Sequence, residues 1–227
     1  INLINIETIF IQSPRNIRCF LFFQTELQKL SPSMVQQFWT YCSDALLSFN
    51  IPDYLLYENI SRITSENKEK HRQLCLQGRS DELITEIIRN DDINQFQSLV
   101  SKCNISLEST VKFSLYESNY LINRINSLPT LIEYAAFFAS IQIFKFIYVR
   151  LLQLPDTIQS YAIAGGSYDI IHLLESKDVV FNELALSTAI EYHRNEIIDY
   201  LIDNYQPTVF ISYQSVLLPS IVNYNLE

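Results

Sequence analysis

The chain has 227 residues, 48% of them hydrophobic, enough to bury a sizeable core. Three Gly and seven Pro are too few for a β-sandwich or barrel, and no phosphate-cradling glycine motif is present. A formal net charge of −9 argues against general affinity for nucleic acid or an anionic membrane, since both depend on Lys/Arg clusters.

Cys19, Cys42, Cys75 and Cys103 are widely spaced, with no C-x-x-C pair. They read as ordinary small apolar residues of a reducing compartment rather than as a zinc or disulfide framework. No apolar run reaches the roughly 18–20 residues of a membrane span. The longest, from Ile141 to Leu154, is interrupted by Gln142, Lys145 and Arg150. No signal peptide is legible, and a cytoplasmic location is expected. The first residue is Ile rather than Met, which reads as a piece of a longer chain.

Taken in order, residues 1–79 predict an N-terminal helical region. Ile17, Phe20, Leu21 and Leu27 recur at helical spacing after Pro14. Ser31-Pro32-Ser33 punctuates, and Met34, Val35, Phe38, Tyr41, Cys42, Ala45, Leu46 and Phe49 then share one helical face. A short helix follows Pro52. Residues 64–80 are the most polar part and read as a solvated connector or exposed helix that includes His71 and is broken by Gly78.

From residue 80 to 227 the pattern predicts stacked helix pairs, with units at about 80–101, 129–153, 155–180 and 182–206 and a partial one at 214–227. In the first, Leu83, Ile84, Ile87 and Ile88 are expected to face inward, Asp91-Asp92 makes the turn, and Ile93, Phe96, Leu99 and Val100 line the second helix. An insertion of about 101–128 separates it from the next. Thereafter the motif Ala-apolar-x-x-turn-polar-x-polar-apolar-apolar begins at Ala135, Ala162 and Ala189, a constant interval of 27 (162 − 135 and 189 − 162). A fixed period in this range marks a repeat architecture in which each unit buries its apolar face against its neighbours. The last residues, Leu217 to Glu227, read as the inner helix of a further unit that stops just before its expected apolar pair, either as a truncated capping unit or because the chain continues.

The stretch Thr130-Leu131-Ile132-Glu133-Tyr134-Ala135-Ala136-Phe137-Phe138-Ala139-Ser140-Ile141-Gln142-Ile143-Phe144-Lys145-Phe146-Ile147 resembles the ankyrin pattern T-P-L-H-x-A-A-x-x-G-H-x-x-I-V-x-L-L. Gly166-Ser167 with Ile170-Ile171, and His193-Arg194 with Ile197-Ile198, repeat its second half. The wording is similar to the divergent ankyrin-like proteins expanded in parasitic protists, which often carry a helical N-terminal region. The resemblance implies an all-α, ankyrin-like solenoid. The period is shorter than the family's usual length of roughly 33 residues, so the β-hairpin fingers are expected to be shortened or absent.

The resemblance further implies a non-enzymatic protein-interaction scaffold or adaptor whose concave face carries the residues just before each turn. These are Phe137 and Phe138, Gly165, and Glu191 and Tyr192, with Ala164 and the pair Arg89-Asn90 at the equivalent positions. The alternative is that the insertion at 101–128 or the N-terminal helices pack over Phe137 and Phe138.

Between residues 130 and 204 ten acidic residues stand against four basic ones, a balance of −6 that would steer a basic protein partner. No catalytic triad, H-E-x-x-H or paired-carboxylate site is legible. His71, His172 and His193 read as exposed or turn residues, and Asp91-Asp92, Glu175 with Asp178 and Asp199 with Asp203 as solvated helix ends. No cofactor, metal or small-molecule substrate is expected. The rival readings are a structural spacer of a larger protein, or an enzyme whose catalytic part lies outside this chain.

Overall fold

The computed structural model describes Lys29, Pro32, Ser33 and residues 68–114, 116–123 and 127–205. The helices expected before residue 64 and the partial unit at 214–227 lie outside these residues. The chain divides into two compact units, Ile1–Glu82 with Lys112–Leu128, and Leu83–Val111 with Pro129–Glu227. Among the described residues the secondary structure is helical, with no strand and one isolated antiparallel bridge.

The first unit contains α1 (Lys68–Gln77). Gly78 ends it with φ 63°, a conformation that costs a residue without Cβ little. The Gly78 carbonyl accepts from both the amide and the hydroxyl of Ser118, each at 2.9 Å. Buried Asn123 donates to the carbonyls of Ser114 and Glu117, and buried Glu117 accepts from the amide of Asn119. Residues 116–123 are thus held to Gly78 and Ser114 by side chain-to-backbone bonds instead of a helix ladder.

The second unit contains α2 (Leu83–Arg89), α3 (Ile93–Cys103), α4 (Leu131–Phe137), α5 (Ile141–Tyr148), α6 (Ile158–Gly165), α7 (Tyr168–Glu175), α8 (Glu183–Glu191) and α9 (Asn195–Tyr205). They pack in two rows: α2 on α4, α4 on α6 and α6 on α8, with α3 on α5 and α5 on α7 in the other. The bridge between Thr110 and Thr130 joins the two sequence segments of this unit, with Val111 donating to Pro129 and Leu131 to Ser109.

Each inner helix turns into its partner through one residue with positive φ: Asp91 at 49°, Ala139 at 55°, Gly166 at 79° and His193 at 53°. The last three are the positions that the constant interval marks as turns. Ala135, Ala162 and Ala189 are completely buried, as are Ile143, Phe144, Ile170 and Ile171 on the second helices. The inward face of α2 is Ile84, Thr85, Ile87 and Ile88; Leu83, expected inward, is 55% exposed. Leu83 opens the helix, so no preceding turn covers it, and its place inside is taken by Thr85.

At α5 a bond from the preceding helix pair stands in for a local cap. The Asp91 carboxylate accepts from the amides of Gln142 and Ile143 at 3.0 and 2.9 Å, satisfying the first turn of α5, whose own N-cap Ser140 makes no side-chain cap. Ser140 donates instead to the Ile88 carbonyl at 2.5 Å. Asp91 is therefore a cap on the next unit, where the sequence suggests only a solvated turn. Its neighbour Asp92 caps α3 by accepting from the Gln95 amide, which with the Gln95 side chain holds its carboxyl below the usual value. Buried Glu133 closes a capping box with Thr130 at the start of α4 and also accepts from the Thr157 hydroxyl at the start of α6.

Ala162→Leu is expected to overpack the inner row and lower stability by ~1–3 kcal/mol or more. Ala139→Gly should raise it by up to about 1 kcal/mol, because exposed Ala139 bears a left-handed conformation that Gly adopts freely. Urea unfolding followed by circular dichroism measures both, and opposite signs are the expected result.

Candidate functional site

The sequence-predicted site residues gather at the turn end of the inner row. Phe137 ends α4 and Phe138 is its C-cap; both are half-buried. Gly165 ends α6. Glu191 ends α8 with its side chain exposed, and Tyr192, its C-cap, is half-buried. Being the two residues before a left-handed turn places each pair at the same phase of its unit.

Gly165 explains how the rings come together. A Cβ there would lie 2.2 Å from the Ala136 carbonyl oxygen and 2.9 Å from that of Phe137, so the end of α6 rests directly on the end of α4. Phe137 and Tyr192, on alternate inner helices, consequently meet edge to face at 5.8 Å. Phe137 contacts Phe138 at 5.1 Å, and Phe138 contacts Tyr134 at 4.7 Å. The guanidinium of Arg89, from the end of α2, lies 6.0 Å from the Phe138 ring and donates to the Tyr134 hydroxyl at 2.7 Å. Four inner helices thereby contribute to one edge, Gly165 as the closely packed spacer and the others as side chains.

The sequence points to Phe137, Phe138, Gly165, Glu191 and Tyr192, and the rings of Phe137, Phe138 and Tyr192 form a contiguous strip. Glu191 points to solvent beside it. Arg89 and Tyr134 belong to the strip as well. Arg89 carries a signal, its place before the Asp91 turn; Tyr134 lies one position before the alanine and carries none.

A second group of polar side chains lies in the other row. The Glu175 carboxylate accepts from the Tyr200 hydroxyl at 2.8 Å and the Tyr205 hydroxyl at 2.6 Å, and pairs with His172 Nδ1 at 2.8 Å. Burial pushes the Glu175 carboxyl up, but hydrogen bonds from Tyr205, His172 and Tyr200 outweigh it and hold it below its usual value. Burial and then the bond to Glu175 push the Tyr200 phenol up to about 12, and Tyr205 is raised by the same causes. Glu175, a solvated helix end with Asp178 by its sequence, is instead the acceptor that ties α9 to α7. His193 occupies its turn, exposed, as its position in the interval implies.

No group of three or more His, Cys, Asp or Glu that could hold a metal ion exists among the described residues. No helix among them is long and apolar enough to cross a membrane.

A family model described as a domain of unknown function, DUF3447, matches residues 153–227. That span takes in α6 to α9, including Gly165, Glu191, Tyr192 and the Glu175 cluster. Neither the curated proteins nor the solved structures give a match.

Gly165→Ala should push α6 off α4 and lower stability by ~1–3 kcal/mol or more, seen as a lower urea midpoint together with a change in near-UV circular dichroism as the Phe137–Tyr192 contact opens.

Glu175 has a lowered folded-state pKa. Its stabilising contribution is therefore full above the ordinary carboxyl value of 4.5 and is lost as pH falls through the lower folded value. Glu175→Gln should accordingly cost most near neutral pH, and the difference from wild type should shrink below about pH 4.5, measured by denaturant unfolding across that range.

Proposed function

We propose that the second unit is a compressed ankyrin-like stack of helix pairs, and that the protein is a non-enzymatic interaction scaffold or adaptor. The repeat reading is supported by the left-handed turns at Ala139, Gly166 and His193 and by the matching pairs of rows. Bonds from each unit to the next, such as Ser140 to Ile88 and Arg194 to the carbonyl of Ala164, support it further. Connections from α5 to α6 and from α7 to α8 run without any strand, as a short period lacking the finger requires.

The observation that carries the functional reading is the half-buried strip of Phe137, Phe138 and Tyr192 along the inner-helix ends. Rings already ordered by mutual edge contacts lose little conformational entropy on binding, and aromatic side chains dominate the energetics of protein interfaces. The strip lies where ankyrin-like repeats present their concave edge, and a partner protein is the ligand that an extended, mainly aromatic strip of this kind suits. An exposed free thiol at Cys103 fits a reducing compartment, and we place the protein in the cytoplasm.

The test is affinity purification of the full-length protein from its native cells with mass spectrometry, followed by measured affinities for the recovered partner. Phe137→Ala and Tyr192→Ala should each weaken binding about tenfold or more, with Glu183→Gln, at the opposite end of α8 from the strip, as control. If neither substitution changes the affinity, the strip is internal packing and the assignment of this edge fails.

A further inference from the structure

We propose a second docking surface on the other row of helices: the rings of Tyr168, His172 and Tyr200, rimmed by Glu196 and Asp199, receive a lysine or arginine side chain from a basic segment of a partner protein.

The three rings form a platform. Tyr168 and His172 are tilted by 32° to one another with centroids 6.2 Å apart, and each meets Tyr200 edge to face at 5.7 Å. A triangle this tight has no room for a guest between the rings, so a cation would sit on its outer face. His172 leaves 57% of its side chain exposed there, while Tyr168 and Tyr200 are half-buried. The hydrogen bond of Tyr200 to Glu175 fixes its ring, and the pairing of His172 with the same carboxylate fixes the imidazole. The platform is therefore ordered before anything binds.

Two carboxylates stand beside Tyr168. Glu196 and Asp199 are exposed on α9, and after burial it is their negative charge that pushes the Tyr168 phenol above its usual value. Neither carboxylate makes an ion pair among the described residues, and the Tyr168 hydroxyl makes no hydrogen bond there. Asp169 and Asp203 are also exposed, on α7 and α9.

The same row shows what chemistry its rings accept. The guanidinium of Arg150, just past α5, lies 3.7 Å from the centre of the Phe146 ring, and Lys177 Nζ lies 4.2 Å from that of Tyr148. Cations of this chain thus cover two of the rings of α5. Arg194, which immediately precedes α9, is held on the other side by the carbonyls of Ala164 and Gly165. The rings of α7 and α9 have the aromatic faces and the carboxylates but no cation of their own among the described residues. A cation supplied by a partner completes the arrangement, since ring faces and carboxylates both favour positive charge.

The experiment uses the full chain and a fluorescein-labelled (Arg-Gly)5 peptide, with (Gln-Gly)5 as the neutral control, followed by fluorescence anisotropy at low ionic strength. The arginine peptide should bind and the glutamine peptide should not. Tyr168→Leu, which removes a ring and no hydrogen bond, should weaken binding about two- to fivefold. The double variant Glu196→Gln with Asp199→Asn should weaken it at least as much. A charge-matched double variant remote from the platform, Glu86→Gln with Asp156→Asn, should leave it unchanged. If the remote variant weakens binding as much as the rim variant, only net charge is being read and the platform is refuted. Absence of binding, or full binding by folded Tyr168→Leu, refutes it equally. Should Tyr168→Leu fail to fold by circular dichroism, the comparison of rim and remote variants decides. None of these outcomes bears on the Phe137–Tyr192 strip, whose test uses other residues.

Discussion

Backbone-to-backbone contact between inner helices is the constraint on which the second unit depends. The end of α6 touches the Ala136 and Phe137 carbonyls so closely that a methyl group at Gly165 would collide with both. Fully buried alanines at 135, 162 and 189 keep the same row free of bulk. Two consequences follow. Large side chains must fill the space between the rows, which Ile143, Phe144, Ile170 and Ile171 do. Helix-end polar groups, moreover, are enclosed by the neighbouring unit and must be satisfied from it. Ser140 bonded to the Ile88 carbonyl, Arg194 to that of Ala164, and Asp91 to the first amides of α5 are three chemically different answers to that one requirement.

The parts legible in the sequence are those that recur at constant phase. Turn positions, buried alanines and the apolar pairs of the second helices are fixed by local backbone geometry repeated at one interval, so spacing alone locates them. Phe137 and Tyr192 can be assigned to one edge by the same reasoning. Their contact cannot, because it depends on the missing Cβ of Gly165, a residue between them in space but on another helix. Periodicity misplaces Leu83 because the first residue of a helix has neighbours on one side only, which a spacing pattern does not register.

Polar residues are the least legible. Asp91-Asp92 looks like an ordinary acidic turn, and one of the two indeed caps its own helix. The other caps a helix 51 and 52 residues away. Glu175 likewise reads locally as a helix-end acid, yet its donors, Tyr200 and Tyr205, come from 25 and 30 residues further on. Hydrogen-bond demand in a stacked row is set by the neighbour, whereas a sequence pattern reports only the residue's own helix.

The absence of strands between the described helix pairs of the second unit bears on where a proposed partner would be met. A projecting hairpin presents backbone and side chains beyond the body of the stack; connections as short as those here leave helix ends and helix faces as the ordered surfaces. The two aromatic groups occupy those two kinds of place and differ in chemistry. At the inner ends, the Phe137–Phe138–Tyr192 strip has a cation from this chain, Arg89, at one end. On the other row, Tyr168, His172 and Tyr200 stand among carboxylates with no cation of the chain's own among the described residues. Desolvating that face with an apolar partner would strand the negative charges, whereas a basic one would pair with them. On the two proposals, the carboxylates of Glu196 and Asp199 would set what the second surface accepts, whereas Glu191 stands exposed beside the first.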